Sequence, residues 1–211
     1  MQVIEHIAYD LIIDTVPVGA KVLDLGCGNG DLLERLMLLK AAHTYGVEIS
    51  SEGVSRCVER GLYCYQGDID EGLADYRDNS FDVVILNQTL QIVKRPAYVL
   101  CEMMRISRIA VVSFPNFGYL KTRLQLLIRG TMPKNDLLPY EWYETPNIHL
   151  LTIRDFRNFC DANRFPVKSE KHFCIGNGAS SKPVRYLPNL LAQYGFFILD
   201  GETYTKSMKK K

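Results

Sequence analysis

Apolar positions along this chain keep switching between a helical and an extended period. From Val3 to Val16, Ile4, Ile7, Ala8, Leu11 and Ile12 share one helical face, with Glu5, Asp10 and Asp14 largely off it. Pro17-Val18-Gly19 stops that helix, and Lys21–Leu25 reads as a short buried strand running into glycines. Asp31–Lys40 returns to a helical pattern through Leu32, Leu33, Leu36, Met37 and Leu39. A strand is predicted at His43–Ile49, a serine-capped helix at Ser51–Arg60 and a third strand at Leu62–Gln66. Phe81–Leu86 is apolar on both faces, as the interior of a parallel sheet requires, and a helix at Arg95–Met104 and a strand at Ser107–Phe114 follow it. Strands alternating with helices at this spacing specify βαβ units and a doubly wound α/β sheet.

The second half is less regular. Asn116–Arg129 reads as a basic amphipathic helix with Leu120, Leu124, Leu127 and Ile128 on one face. A linker rich in proline and aromatics runs through Met132-Pro133 and Leu138-Pro139-Tyr140-Glu141-Trp142-Tyr143. Thr152–Asn163 is a capped helix with Ile153, Phe156, Phe159 and Cys160 inward, and Phe165–Ile175 and Gly195–Leu199 are the closing strands. No internal repeat is evident.

Composition narrows the function classes. The chain has 211 residues, 47% of them hydrophobic and 23% charged, enough for a sizeable core without disulfide or metal support. Its 25 Lys and Arg against 24 Asp and Glu give a net charge of +1, so no electrostatic case exists for nucleic acid or a membrane surface as partner. No apolar stretch reaches the roughly 18 residues of a spanning helix, and no basic segment followed by an apolar one opens the chain. The six cysteines, Cys27, Cys57, Cys64, Cys101, Cys160 and Cys174, are scattered, with no pair two residues apart. They read as reduced, buried thiols in a cytoplasmic protein, and no metal site is expected.

The candidate chemistry sits at Asp24-Leu25-Gly26-Cys27-Gly28-Asn29-Gly30, where the first strand becomes a helix. Glycines there let the backbone turn sharply and approach a ligand. A dinucleotide fingerprint would place its third glycine at position 31, which is Asp31. An acid at the helix opening would repel a pyrophosphate, so the pattern disfavours NAD or FAD and allows a ligand without phosphate. Glu48 ends the second strand, where an acid can accept both ribose hydroxyls, and Gly67-Asp68-Ile69 follows the third, where Asp68 can meet an adenine amino group and Ile69 can cover the ring.

These segments, with Gly46-Val47-Glu48-Ile49 and Phe81-Asp82-Val83-Val84-Ile85-Leu86, resemble the class I S-adenosylmethionine-dependent methyltransferases. The resemblance implies a mostly parallel, seven-stranded Rossmann-like sheet and a single domain over residues 1–211, with a helix and aromatic insertion at 116–150 and a flexible basic tail at 206–211. It implies that Asp24 and the backbone of Gly26, Cys27, Gly28, Asn29 and Gly30 hold the methionine end of S-adenosylmethionine or S-adenosylhomocysteine. Glu48 with Ile49 would hold the ribose, Gly67, Asp68 and Ile69 the adenine, and Asn87 and Gln88 would line the pocket. Further segments narrow the match: Leu86-Asn87-Gln88-Thr89-Leu90-Gln91, Phe114-Pro115-Asn116-Phe117-Gly118, Arg123–Leu127, Leu138-Pro139-Tyr140-Glu141-Trp142-Tyr143, Thr145-Pro146-Asn147-Ile148-His149 and Thr152-Ile153-Arg154-Asp155-Phe156 are similar to the methionine-biosynthesis MetW family. That resemblance implies a bacterial protein working with homoserine O-acyltransferase, MetX.

No catalytic residue is identifiable, because methyl transfer needs alignment more than any residue type. Asn87-Gln88-Thr89-Leu90 reads as pocket lining at the sheet's carboxyl edge. His149 reads as a packed or capping histidine rather than a base, and Asn116 as a turn residue, with Tyr119 beside it, rather than a pocket group. Trp142, Tyr140 and Tyr143 form either a partner-facing patch or a flap over the sheet, and Lys209 to Lys211 a solvated terminus. Two readings result: an accessory subunit that binds the cofactor, with binding available as a regulatory sensor, or an active methyltransferase on a small molecule.

Overall fold

The computed structural model describes residues 2–135, 137–175 and 181–208, and side chains from residue 8 onward within them, Ser181 excepted. Ile4 and Ile7 on the first helical face, Glu5 off it, and residues 209–211 of the basic tail lie outside the described side chains or residues.

Helix α1 (Gln2–Thr15) leads into β1 (Lys21–Leu25), α2 (Asp31–Lys40), β2 (His43–Glu48), α3 (Ser51–Glu59) and β3 (Tyr63–Gln66). Then come β4 (Phe81–Asn87), a single 3₁₀ turn at Leu90–Ile92, α4 (Pro96–Ile106) and β5 (Ser107–Pro115). The chain closes with α5 (Leu120–Arg129), α6 (Ile153–Asn163), β6 (Val167–Ile175), β7 (Ser181–Pro183), α7 (Pro188–Leu191), β8 (Tyr194–Asp200) and α8 (Gly201–Met208).

The strands form one sheet in the order β3-β2-β1-β4-β5-β8-β6-β7. The five from β3 to β5 pair in parallel, whereas β8 runs antiparallel to both β5 and β6. Among the described residues, eight strands replace the seven expected. The addition is the three-residue β7, antiparallel on β6; its Pro183 is tolerated because an edge strand leaves one side of its backbone unpaired. Helices cover both faces. Along β4, Val84 and Leu86 join one core with Val99 and Met103 of α4, while Val83 and Ile85 join the other with Ile12 of α1 and Leu36 of α2. The unbroken apolar run Val83–Leu86 follows from burial on both sides.

Strand order reverses between β1 and β4, and a crevice opens there at the carboxyl ends of the strands. Two further corrections concern boundaries. The helix expected from Asn116 begins only at Leu120, because Asn116 Oδ1 accepts from Gly118 N (3.0 Å) and holds a turn. Lys206, Ser207 and Met208 are the end of α8 rather than tail.

Asn116 is the turn residue the sequence suggests, and it does more. Buried at 1% exposure, it donates to Ala192 O (2.7 Å) and Asn189 O (3.2 Å) and accepts from Ile153 N (3.3 Å), tying the end of β5 to α6 and α7. Asn116→Ala strands several buried backbone groups at about 1–3 kcal/mol each. Its thermal midpoint is expected to fall by about 5 °C or more in a calorimetric melt.

Candidate functional site

The turn after β1 is built by conformation. Gly26 (φ 77°), Gly28 (φ 56°) and Gly30 (φ 82°) all adopt left-handed backbone, where a side chain costs energy. They serve different ends. A Cβ on Gly28 would meet nothing within 4 Å, so this residue fronts open space. A Cβ on Gly30 would stand 2.5 Å from Leu62 Cδ1 and 2.9 Å from Cys57 Sγ, so Gly30 faces the core and packs the start of α2.

Two adjoining hollows open from this turn, sharing Gly26, Thr89 and Ile92. The larger, about 500 Å³, is lined by Asp24, Cys27, Gly28 and Asn29 on one side and Asn87, Gln88 and Gln91 on another, with Leu137, Pro139 and Tyr140 closing it. The smaller, about 180 Å³, is lined by Glu48, Ile49, Gly67, Asp68 and Ile69. Every residue singled out for the ligand lines one or the other, apart from Gly30.

Asp24 is the electrostatic centre. It is buried, and its Oδ1 has no hydrogen-bond partner among the described residues. Burial first, then the neighbouring Glu48 carboxylate, pushes its acid up to about 7. Gln88, held at left-handed φ 52° by its N–H to Ser113 O (2.9 Å), carries an equally unmatched Nε2 donor. Asp24, Gln88 and Gln91, which carries an unmatched Oε1, all line the larger hollow, so its wall holds buried acceptors and a buried donor, polar groups of the kind an amino-acid ammonium and carboxylate would need.

Glu48 accepts from Gly28 N and from Ser50 N, each at 2.9 Å, tying the turn to the start of α3 while keeping lone pairs for further donors. Ile49, 65% exposed at the rim of the smaller hollow, is an apolar surface suited to a flat ring. Asp68 receives Asp70 N (2.9 Å) and lies 3.9 Å from Lys94 Nζ. Asp31 forms an ion pair with Arg60 at 2.6 Å, on the same rim as Asn29, whose Oδ1 accepts from Arg56 (3.2 Å).

Some features were not read from sequence. Asp70, buried, accepts from Lys94 N and Arg95 N and fixes the entrance to α4; its signal was its place directly after Gly67-Asp68-Ile69. The scattered cysteines also partly converge: the sulfurs of Cys27, Cys57 and Cys64 lie within 4.8 Å of one another. Gly46 makes room for this, since a Cβ there would stand 2.5 Å from Cys27 Sγ. Burial pushes the Cys57 thiol up to about 11 and raises that of Cys27 as well, so both are neutral thiols packed with Leu33 and Leu62. Of the six cysteines, Cys64, Cys101 and Cys174 are only half-buried, against the expectation for all.

His149 neither packs nor caps. It is exposed, its backbone N–H donates to Gln91 O (3.0 Å), its side chain lines a separate hollow beside Phe156 and Phe159, and Thr152 caps α6 through a capping box with Asp155. Tyr140 faces the large hollow, whereas Trp142 and Tyr143 are exposed and stack edge-on at 5.5 Å.

Against protein-family models, residues 7–199 match that of the methionine biosynthesis protein MetW. The chain belongs to the MetW family. A relative from Rhodopirellula baltica, the bifunctional methionine biosynthesis protein MetXA/MetW, is 34% identical over 82% of this MetW chain, which spans 29% of that relative's length. Among solved structures, an S-adenosylmethionine-dependent methyltransferase from Archaeoglobus fulgidus superposes with a TM-score of 0.65 at 16% identity, covering 91% of this chain and 94% of its own. A second from Thermotoga maritima, described as a possible histamine N-methyltransferase, superposes at 0.64 and 14% identity over 92% and 89%. The MetW chain therefore has the class I methyltransferase fold. No helix among its described residues is long and apolar enough to cross a membrane.

Proposed function

We propose that this MetW-family chain binds S-adenosylmethionine, or its product S-adenosylhomocysteine, across the two hollows and acts as an accessory subunit of homoserine O-acyltransferase. Its single fold domain would carry both roles. The observation that supports the partnership is the R. baltica relative, in which MetXA and MetW segments share one polypeptide.

In the larger hollow, Asp24 Oδ1 would accept from the ligand's ammonium and Gln88 Nε2 would donate to its carboxylate, while the Gly26–Gly28 backbone lies against the chain between. In the smaller, Glu48 would accept from the ribose hydroxyls, and Ile49 and Ile69 would cover the adenine beside Asp68. When bound, the sulfonium supplies an activated methyl group. Around the acceptor side this chain offers carboxamides, Thr89, prolines and tyrosines, a lining that does not by itself separate a sensing role from methyl transfer, which needs alignment more than any residue type.

A sensor needs a route outward. Leu137, Pro139 and Tyr140 line the hollow, and the strap they belong to is fastened to α5 by Asn135, whose Nδ2 donates to Thr122 Oγ1 (3.4 Å) and Gln125 Oε1 (3.5 Å). Ligand in the hollow would lie against the strap that holds α5. The test is the acyltransferase rate with and without the chain: addition should raise it severalfold, and S-adenosylmethionine should change that increment. A rate indifferent to the chain contradicts the accessory role.

A further inference from the structure

Helix α5 packs the wrong way round for its sequence. An amphipathic helix ordinarily turns its apolar stripe to the core, yet the one fully buried residue of α5 is Thr122. Its polar side docks on the strap through Thr122 and Gln125, whose Nε2 also donates to Lys134 O (3.2 Å). The stripe of Leu120, Leu124, Leu127 and Ile128 points to solvent, with Leu127 80% and Ile128 77% exposed. A contiguous apolar ridge on a surface otherwise rich in charge marks an interaction face.

The surroundings say what kind of partner fits. The α5 sequence contains Lys121, Arg123 and Arg129 and no acid. Arg123 is followed one turn later by Leu127, and with Arg154, Arg157, Leu187 and Leu190 it lines a hollow of about 400 Å³ beside α7. Arg157 is committed to Glu170 (2.6 Å) and Arg123 to Gly118 O, but the Arg154 guanidinium has no partner among the described residues. An apolar ridge beside an arginine-lined socket is complementary to a surface with apolar side chains and an acidic anchor.

We propose that the outer face of α5, with the Arg123–Arg154 hollow, is the surface on which the homoserine O-acyltransferase partner docks. The inference rests on the accessory reading above and names its site. In the fused relative the two modules are held in one polypeptide, so the interface need not be extensive, and a ridge of four apolar residues with one charged socket is of that kind. The other side of α5 holds the strap over the ligand hollow, so this face is the outward end of the same sensing route.

The test uses the full chain and the purified homoserine O-acyltransferase of the same organism, with affinity read by titration calorimetry. Leu127→Glu and Arg154→Glu are each expected to weaken binding at least tenfold with unchanged melting temperature, since neither side chain supports the core. Leu38→Glu, on the exposed apolar side of α2 at 72% exposure, should bind like wild type. Wild-type binding that all three variants retain would overturn the docking surface and leave the accessory reading standing. No binding by the wild-type chain would overturn that reading and the surface with it. If sedimentation shows the chain alone to be a dimer that Leu127→Glu dissociates, α5 is a self-interface and the proposal fails.

Discussion

Replacing Asp24 with Asn is expected to lower affinity for S-adenosylmethionine about 10- to 100-fold while making the protein more heat-stable. Both effects have one cause. The carboxylate is buried with an unmatched oxygen, and its acid is raised to about 7 against an ordinary 3.8. The folded state thus holds its proton more tightly than the unfolded state, so stability falls as pH rises from 3.8 to 7, and the cost persists above that. A neutral side chain removes a cost of up to about 4 kcal/mol, offset by about 1–3 kcal/mol for burying the amide. The midpoint of Asp24→Asn should therefore exceed wild type by about 2 °C or more at pH 8 and fall about 2 °C or more below it near pH 4, where the ionisation cost is gone and the amide cost remains. Binding runs the other way, because a charge-assisted hydrogen bond to an ammonium contributes about 1.5–3 kcal/mol. Wild-type affinity should itself rise about fivefold or more between pH 6 and 7.5 as Asp24 ionises, and the variant should show no such rise. A variant that binds like wild type would remove Asp24 from the site.

Gly28 and Gly30 stand two residues apart in the same turn and are expected to fail differently. Gly30→Val puts a branched side chain at φ 82° and drives it onto Leu62 and Cys57, which are both buried. Left-handed strain adds about 1–2 kcal/mol and overpacking about 1–3 kcal/mol, a fall of roughly 5–15 °C in melting temperature. Gly28→Val carries strain alone, since its side chain enters open space, so its melting temperature should fall by only a few degrees. That open space is the larger hollow, proposed as the ligand site, and the affinity of Gly28→Val for S-adenosylmethionine should drop at least tenfold. Equal stability loss in both variants would contradict this division of labour.

What the sequence made legible was whatever a local rule decides. The strand Lys21–Leu25 and helix Asp31–Lys40 have the expected limits because glycines and a buried apolar run bound them. Thr152 caps α6 because a threonine with an acid three residues on can satisfy both exposed N–H groups. Glu48 was readable from its place at a strand end. Features set by distant contacts were not readable. The convergence of Cys57 and Cys64 on Cys27 depends on three separate elements meeting over Gly46. The short β7, α7 and the α8 helix exist because β6, Asn116 and β5 receive them, and their own patterns are too brief to announce them. Likewise the stripe on α5 was visible as a helical face, but its outward direction follows from the Asn135 bonds that claim the opposite side.

The most direct measurement is calorimetric titration of the wild-type chain and of Gly28→Trp with S-adenosylmethionine. The wild-type chain should take up one molecule per chain, and Gly28→Trp, with an indole filling the space in front of the turn, should give no measurable heat while keeping most of its thermal stability. Silence from the wild type, or equal affinity in the two proteins, would mean that the turn after β1 is not where an adenosyl ligand binds.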